Sequence, residues 1–378
     1  MYKTAPHLLL VINSDAFFIS HRIAMAQACL QNKFKVSIVT KDTGHRAYIE
    51  SLGFEFYDFS INRGSKSLIQ NFKELYFLRK LYFKIKPDII HHVGIKLILL
   101  GSIARLGIGN SIVLNAVAGL GSALSANRWN ILKKIFSLSS FIFRKNYQHF
   151  LFQNEQNAHF FQTLLKLTHS QINLIKGTGI DINYFVYTPE SNSSIYVVRL
   201  IARMLKDKGV LDFIEAAKLL RSKWEGKVAF ELIGPIDEAN PSALTRQELE
   251  ASVDNFYLMW QGAQYPILPF LQTAHIIVLP SYHEGFPRIL LEASAVGRAI
   301  IGSDCDGCKA LIKHQENGLI VPIGHIEALA HQIDDLLENT LVRQTLGHNA
   351  RQVVVENYTE QQVNQAFIEL YHRLLCGK

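Results

Sequence analysis

The sequence predicts an α/β protein built from two doubly wound domains, each a parallel sheet with helices on both faces. Three observations predict this. At 378 residues the chain exceeds what one core organises, since single cores stop growing at about 250–300 residues. Short runs rich in Val, Ile, Leu and Phe alternate with helical stretches along most of its length. The alternation stops and restarts once, around the polar, proline-containing segment Tyr184–Ser194, which reads as a linker.

In the first half His7–Asn13, Lys35–Thr40, Phe54–Phe59, Asp88–His92, Ser111–Ala116 and His149–Gln153 read as strands buried on both faces. Helices are predicted near 20–32, 65–86, 96–106, 128–146 and 155–167. The second series has strands at Ile195–Ile201, Val228–Ile233, Phe256–Trp260, His275–Leu279, Ala299–Gly302 and Leu319–Val321. Its helices fall near 208–222, 266–273, 286–296, 308–313 and 325–338, and 341–375 reads as two further helices. The expected domains are therefore 1–188 and 189–358, with a C-terminal helix at 359–378 expected to cross back to the first. Ligands of such sheets bind beyond the carboxyl ends of the strands.

Composition excludes several classes. With 48% hydrophobic and 19% charged residues the chain is neither disordered nor fibrous. Its four cysteines (Cys29, Cys305, Cys308, Cys376) are too scattered for a disulfide framework, and Cys305-x2-Cys308 has no second pair to complete a zinc site. The opening MYKTAPHLLLVINSD carries no signal-peptide pattern, so a cytoplasmic location is expected. The charge-free run from Leu106 to Asn127 holds four glycines and Asn110 and Asn115, and reads as buried strands and loops rather than a membrane span. The net charge of +7 is unevenly divided: residues 1–190 hold 22 Lys and Arg against 10 Asp and Glu, and residues 191–378 hold 17 against 22. The halves are expected to face different partners.

Two stretches point to chemistry. In Leu279–Ala295 a buried strand ends at Pro280, a loop carries Glu284 and Gly285, and a helix starts near Pro287. Free backbone N–H groups there suit a phosphate or a sugar hydroxyl. Glu292 lies eight residues beyond Glu284, roughly 12 Å along a helix, so the two carboxylates can accept hydrogen bonds at two ends of an extended ligand. In Ile195–Gly209 a strand delivers Arg203 to a loop, and Lys208 precedes a helix with apolar Val210, Phe213, Ile214, Ala217 and Leu220 at helical spacing. Arg as a planar fork and Lys as a point charge can together hold a diphosphate.

Arg203-x4-Lys208-Gly209 followed by Glu284-Gly285-Phe286-Pro287-x4-Glu292 resembles the paired signature of retaining glycosyltransferase family 4, including its E-x7-E element. Asp15–Arg22, Lys86–His91, Gly177–Asp181, Cys305–Lys309 and Asn317–Pro322 fall in family order, so the resemblance covers most of the chain. It is most similar to bacterial enzymes that extend polyprenyl-diphosphate-linked sugars in O-antigen, capsule or glycoprotein glycan assembly. The resemblance implies a GT-B fold, two Rossmann-like domains facing a cleft, and hexosyl or N-acetylhexosaminyl transfer from a UDP-sugar with retention. It implies that Arg203 and Lys208 bind the donor diphosphate and that Glu284 holds sugar hydroxyls within the Gly285–Phe286–Pro287 frame. Glu292 would accept the ribose hydroxyls. No cofactor or metal is expected, although Asp304-Cys305-Asp306 has the spacing of an Asp-x-Asp pair; it is assigned to a turn. Alternatives of other classes are a UDP-sugar epimerase of the same fold and a catalytically silent nucleotide-sugar-binding partner.

His91 and His92 end a first-domain strand, and His91 is a candidate contact to donor sugar or acceptor. The glycine-free loop Asn13–Phe18 and Gly119-Leu120-Gly121 are candidate phosphate and acceptor loops. Ser65–Lys86 mixes six cations with aromatic and aliphatic residues, and Arg128–Lys145 repeats the mixture. Both are expected to lie on an anionic membrane surface at the cytoplasmic face, where the lipid-linked acceptor resides; no nucleic-acid recognition fold is visible.

Overall fold

The computed structural model describes residues 5–59, 67–117, 126–191, 193–238, 240–254 and 256–377. They form two compact units: Met1–Thr178 with Glu360–Lys378, and Gly179–Thr359. In the first, β1 (His7–Val11), α1 (Asp15–His21), α2 (Ile23–Gln31), β2 (Lys35–Thr40), α3 (Arg46–Ser51) and β3 (Glu55–Asp58) make one wing. After α4 (Leu68–Ile85) the other wing follows: β4 (Ile89–Val93), α5 (Ile95–Ala104), β5 (Ile112–Val117), α6 (Ala126–Leu138), α7 (Ser140–Phe143), β6 (Gln148–Phe152), α8 (Glu155–Leu165) and β7 (Ile172–Leu174). The sheet order is β3-β2-β1-β4-β5-β6-β7, with every pairing parallel. Strand order reverses between β1 and β4, the switch point where open sheets leave a crevice.

The second unit runs β8 (Tyr196–Ile201), α9 (Val210–Trp224), β9 (Val228–Ile233), α10 (Arg246–Glu250), β10 (Leu258–Trp260), α11 (Leu268–Gln272), β11 (Ile276–Leu279) and α12 (Arg288–Val296). It continues with β12 (Ala299–Ser303), α13 (Asp306–Lys309), β13 (Leu319–Val321), α14 (Ile326–Glu338) and α15 (Thr340–Asn357). Its six strands are ordered β10-β9-β8-β11-β12-β13, again all parallel, with the reversal between β8 and β11. The last helix, α16 (Glu360–Cys376), belongs to the first unit, where Val363, Phe367, Ile368 and Tyr371 join the core on the α2 side of the sheet.

The fold is thus the predicted pair of Rossmann-like parallel sheets, and the differences have local causes. The helix expected near 20–32 is two helices, broken where Arg22 takes φ −135° and ψ −11°. The short β7 carries only three residues, too few to show a periodicity. Tyr184–Ser194 does not act as a free linker. The buried Arg343 guanidinium donates to both Glu190 oxygens at 3.0–3.3 Å, and Arg298, 1% exposed, donates to the Thr188 carbonyl, so the segment is fastened to the second unit. The Asn13–Phe18 loop closes on itself: Ser14 caps α1 by accepting from the Phe17 N–H, and buried Asp15 accepts from the Thr43 N–H at 2.6 Å. Gly119-Leu120-Gly121, Lys66 and the Arg128 side chain lie outside the described residues.

His91 requires a correction. Both β4 histidines are fully buried in the first unit, because each strand of a doubly covered sheet points side chains into a helix-covered core. His91 Nδ1 is 2.7 Å from the Tyr371 hydroxyl on α16, and that hydroxyl donates to the Met25 sulfur. Burial holds the imidazole well below its ordinary value, so it is neutral. His92, pushed down to about 4 by burial, contacts Tyr82 and Asn115. Three of their four ring nitrogens are thus engaged within the unit, fastening helices to the sheet, and His91 Nε2 alone has no hydrogen-bond partner among the described residues. Tyr371→Phe leaves a buried imidazole N–H without its acceptor and is expected to cost about 1–3 kcal/mol, read as a lowered urea midpoint with unchanged far-UV circular dichroism. An unchanged midpoint contradicts that role.

Candidate functional site

The loops after β8 and β11 meet at the switch point of the second sheet. After β8 the chain passes Arg203, makes a short 3₁₀ turn over Lys206–Lys208 and enters α9 through Gly209. Gly209 has φ +68°, and a Cβ there would lie 2.2 Å from the Pro280 carbonyl oxygen, so only glycine lets the two loops touch. A backbone bond from Tyr282 N–H to the Asp207 carbonyl, 2.9 Å, joins them again.

This contact places Lys208 Nζ 2.5 Å from Glu284 Oε1, and Ser281 Oγ donates to the same oxygen at 2.8 Å. Ser281 is itself held by Ser303, whose hydroxyl donates to the Ser281 carbonyl. From below, Gly307 at the start of α13 approaches so closely that a Cβ would sit 2.5 Å from the Glu284 carbonyl oxygen. Lys208 and Glu284 keep 20% and 11% of their side-chain surface, enough to meet a ligand from one side. Arg203 is about half exposed and pairs at 2.5 Å with Asp237, which follows β9.

Gly285, Phe286 and Pro287 are buried, and the Phe286 ring packs on Tyr358 with centroids 5.2 Å apart. What this segment offers outward is backbone. Pro287 stands just outside α12 as its N-cap, with no side-chain oxygen taking the first N–H groups. Glu292, one turn into α12, is 8% exposed; burial pushes its carboxyl up, opposed by Arg288, whose Nε is 2.7 Å from Oε1. The second unit therefore gathers Arg203, Lys208, Glu284, Gly285, Phe286, Pro287 and Glu292 on the loops of one sheet edge and the helix that follows, and leaves His91 in the other unit's core.

Sequence reasoning missed Ser281, Asp237 and Arg288, which act through residues it did name. It also missed a pocket of roughly 780 Å³ beyond β9 and β10, lined by Ile236, Glu238, Arg246, Glu250 and Trp260. Gly234-Pro235 and Gly262 close those strands and were the available signal. Asp237 stands between two lining residues, so the pocket wall continues into the Arg203 pair. Asp304 is engaged in a turn, accepting from the Ile323 N–H at 3.1 Å, and Asp306 opens α13. Among the described residues no group of three or more His, Cys, Asp or Glu side chains is placed to hold a metal ion.

Comparison with known proteins gives a concordant picture. Residues 189–353 match the model of the glycosyl transferases group 1 family, and residues 7–154 match that of the glycosyl transferase 4-like family. The chain is 30% identical over 369 residues to the Campylobacter jejuni N,N'-diacetylbacillosaminyl-diphospho-undecaprenol alpha-1,3-N-acetylgalactosaminyltransferase, covering 94% of this chain and 95% of that one. It is 23% identical to the Escherichia coli UDP-Gal:alpha-D-GlcNAc-diphosphoundecaprenol alpha-1,3-galactosyltransferase, with 92% and 91% covered. Among solved structures, HepE from Anabaena in complex with UDP superposes with a TM-score of 0.77 at 17% identity, covering 97% of this chain and all of that one. The sucrose-phosphate synthase of Thermosynechococcus elongatus reaches 0.81 at 16% identity over 99% and 100%.

Proposed function

The chain belongs to the group 1 glycosyltransferases with a glycosyltransferase 4-like first unit and a GT-B architecture, and on that premise we propose that it moves a hexosyl or N-acetylhexosaminyl group from a UDP-sugar to a polyprenyl-diphosphate-linked saccharide, with retention. The observation that carries the donor half is the Lys208–Glu284–Ser281 cluster beside Arg203. A cation already paired with a carboxylate is held in place before substrate arrives, so little reorganisation is needed when a diphosphate leaves. The acceptor half is supported by the diphospho-undecaprenol substrates named for the two bacterial relatives.

In this mechanism the bond between sugar C1 and the β-phosphate oxygen breaks, and charge accumulates on the departing UDP. Lys208 and Arg203 take up that charge together with the positive end of the α12 dipole. Arg203 exchanges Asp237 for phosphate, while Glu284 accepts hydrogen bonds from sugar hydroxyls through the oxygen that Lys208 and Ser281 leave open. The acceptor hydroxyl attacks C1 on the face UDP leaves, and its proton passes to the departing phosphate oxygen. Glu292 accepts the ribose hydroxyls, and the base extends toward the pocket beyond β9 and β10. Fixed cations do the work a metal would otherwise do, and the epimerase and silent-partner alternatives have no comparable support.

The membrane half rests on α4. Its inner face buries Glu74, Leu78, Leu81 and Tyr82, whereas Ile69, Phe72, Tyr76 and Phe83 are 63–72% exposed. Lys73, Lys80 and Lys84 are exposed at positions interleaved with them at helical spacing. Aromatics and lysines sharing one outward stripe suit an anionic leaflet, rings entering the interface and ammonium groups meeting headgroups. Leu138 and Phe141 extend the exposed apolar surface beside Lys134, whereas Lys133 lies over the Phe160 ring. No helix among the described residues is long and apolar enough to cross a membrane. Docking is accordingly peripheral, on the cytoplasmic leaflet.

Lys208→Ala is expected to lower turnover of UDP-sugar roughly 10²–10³-fold in a folded protein, the scale of one transition-state charge contact. Near wild-type turnover would remove Lys208 from the mechanism. EDTA is expected to leave turnover intact; loss on chelation with recovery in Mg²⁺ or Mn²⁺ assigns leaving-group stabilisation to a metal instead. Co-sedimentation with liposomes is expected to rise with anionic lipid, fall with salt and weaken in Lys73→Glu/Lys80→Glu/Lys84→Glu. Equal binding to neutral and anionic vesicles, or none to either, rules out electrostatic docking.

A further inference from the structure

Arg288 stands where local physics disfavours a cation. It is the first residue of α12, at the positive end of the helix dipole, and its pairing with Glu292 runs in the weaker order, cation before anion at i,i+4. A pair in this order contributes little to the helix itself, so stabilising the helix is a poor reason for the arginine. Residues that break a local rule concentrate at sites where function requires them.

The partner explains the placement. The Glu292 side chain is 11% exposed, and an ionised carboxylate cannot stay in such a place without a compensating charge. Of the elements packed on α12, namely β11, β12, α11 and α15, none adds a second charged group to this carboxyl among the described residues; Arg288 supplies the one opposing charge. Its Nε contact takes Oε1 and leaves Oε2 for another donor. Arg288 itself remains about one-third exposed, so the pair lies at the edge of the site rather than inside the core.

We propose that Arg288 is a positioning residue for nucleotide recognition: it keeps Glu292 ionised and fixes one of its oxygens, so that the other is presented to the ribose diol of the donor. The proposal rests on the assignment of Glu292 to the ribose, and the two can fail separately. A hydroxyl donating to a charged carboxylate binds more strongly than one donating to a neutral acid, so loss of the arginine should weaken donor binding through Glu292 alone.

The test compares wild type, Arg288→Gln, Arg288→Lys and Glu292→Gln by calorimetry with two probes, UDP and its 2′,3′-dideoxy analogue, and by donor KM and kcat across pH. Wild type should prefer UDP over the dideoxy probe by roughly ten- to hundredfold, the scale of hydrogen bonds to a charged group. Glu292→Gln should lose most of that preference at every pH. Arg288→Gln should lose it progressively as the pH is lowered, with KM rising and kcat little changed, because a buried carboxyl without its cation takes up a proton at higher pH than one that keeps it. Arg288→Lys should recover a flat pH profile, since it restores the charge, and it supplies the comparison if the glutamine variant folds poorly. Glu292→Gln with an unaltered preference refutes the ribose assignment. Glu292→Gln losing the preference while Arg288→Gln keeps it at all pH values, or Arg288→Gln lowering kcat with KM unchanged, overturns the proposal.

Discussion

The candidate site depends on one steric constraint, the approach of the Lys208 turn to the Pro280 carbonyl. Both loops leave neighbouring strands of a parallel sheet at the point where its order reverses, so topology brings them within reach. Reach is not contact, and the missing side chain at Gly209 removes the last obstacle. Once the loops touch, Lys208 and Glu284 form a partly buried pair, and Ser281 and Ser303 orient the carboxylate from behind. Gly307 repeats the device on the opposite side of the Glu284 loop. Two glycines therefore let three crossover loops stack, and the charges follow from the stacking.

The two sheets share a winding rule but use their central strands differently. In the second unit the crossover loops at the reversal carry the charged side chains that make the site. In the first unit the strand at the reversal, β4, carries two histidines that are buried, neutral and spent on helix packing. The choice is consistent with burial energetics: an imidazole held uncharged by its surroundings costs less to keep than a charge would, provided its ring nitrogens find partners. Tyr82, Asn115 and Tyr371 partner three of the four nitrogens, His91 Nε2 being left without one among the described residues, and through Tyr371 the chain's last helix is bound to the first sheet.

How much of this was legible in the sequence follows the range of the interactions involved. Strand and helix alternation is local, and it led to both sheets and to most elements; β7 escaped because three residues show no period. Arg203, Lys208, Glu284 and Glu292 could be singled out as candidates because each lies near a strand end or helix start and fits the family signature that the sequence resembles. Ser281 and Arg288 lie within the same motif and went unremarked, since their importance is a hydrogen bond and not a spacing. Asp237 and the pocket beyond β10 depend on which strands become neighbours, which periodicity does not encode. His91 was misplaced for a related reason: the end of a strand was equated with the mouth of the site, although β4 continues one residue beyond His92 and both rings turn into covered layers.

The uneven charge of the chain now divides by surface as well as by length. In α4 the apolar side chains that could have been buried are split, with Leu78, Leu81 and Tyr82 inward and Phe72, Tyr76 and Phe83 outward among lysines. A helix selected only for solubility would not place large rings outward at such exposure, and one selected only for packing would not intersperse them with cations. The acidic second unit buries three of its cations, Arg199, Arg298 and Arg343, against a carboxylate or backbone carbonyls, and sets Arg203 and Lys208 at the sheet edge. The first unit thus carries cations along an outward stripe of α4, and the second holds Arg203 and Lys208 together at the ends of its central strands. A donor diphosphate that diffuses freely needs a compact positive site, and an acceptor held in a charged leaflet needs an extended one.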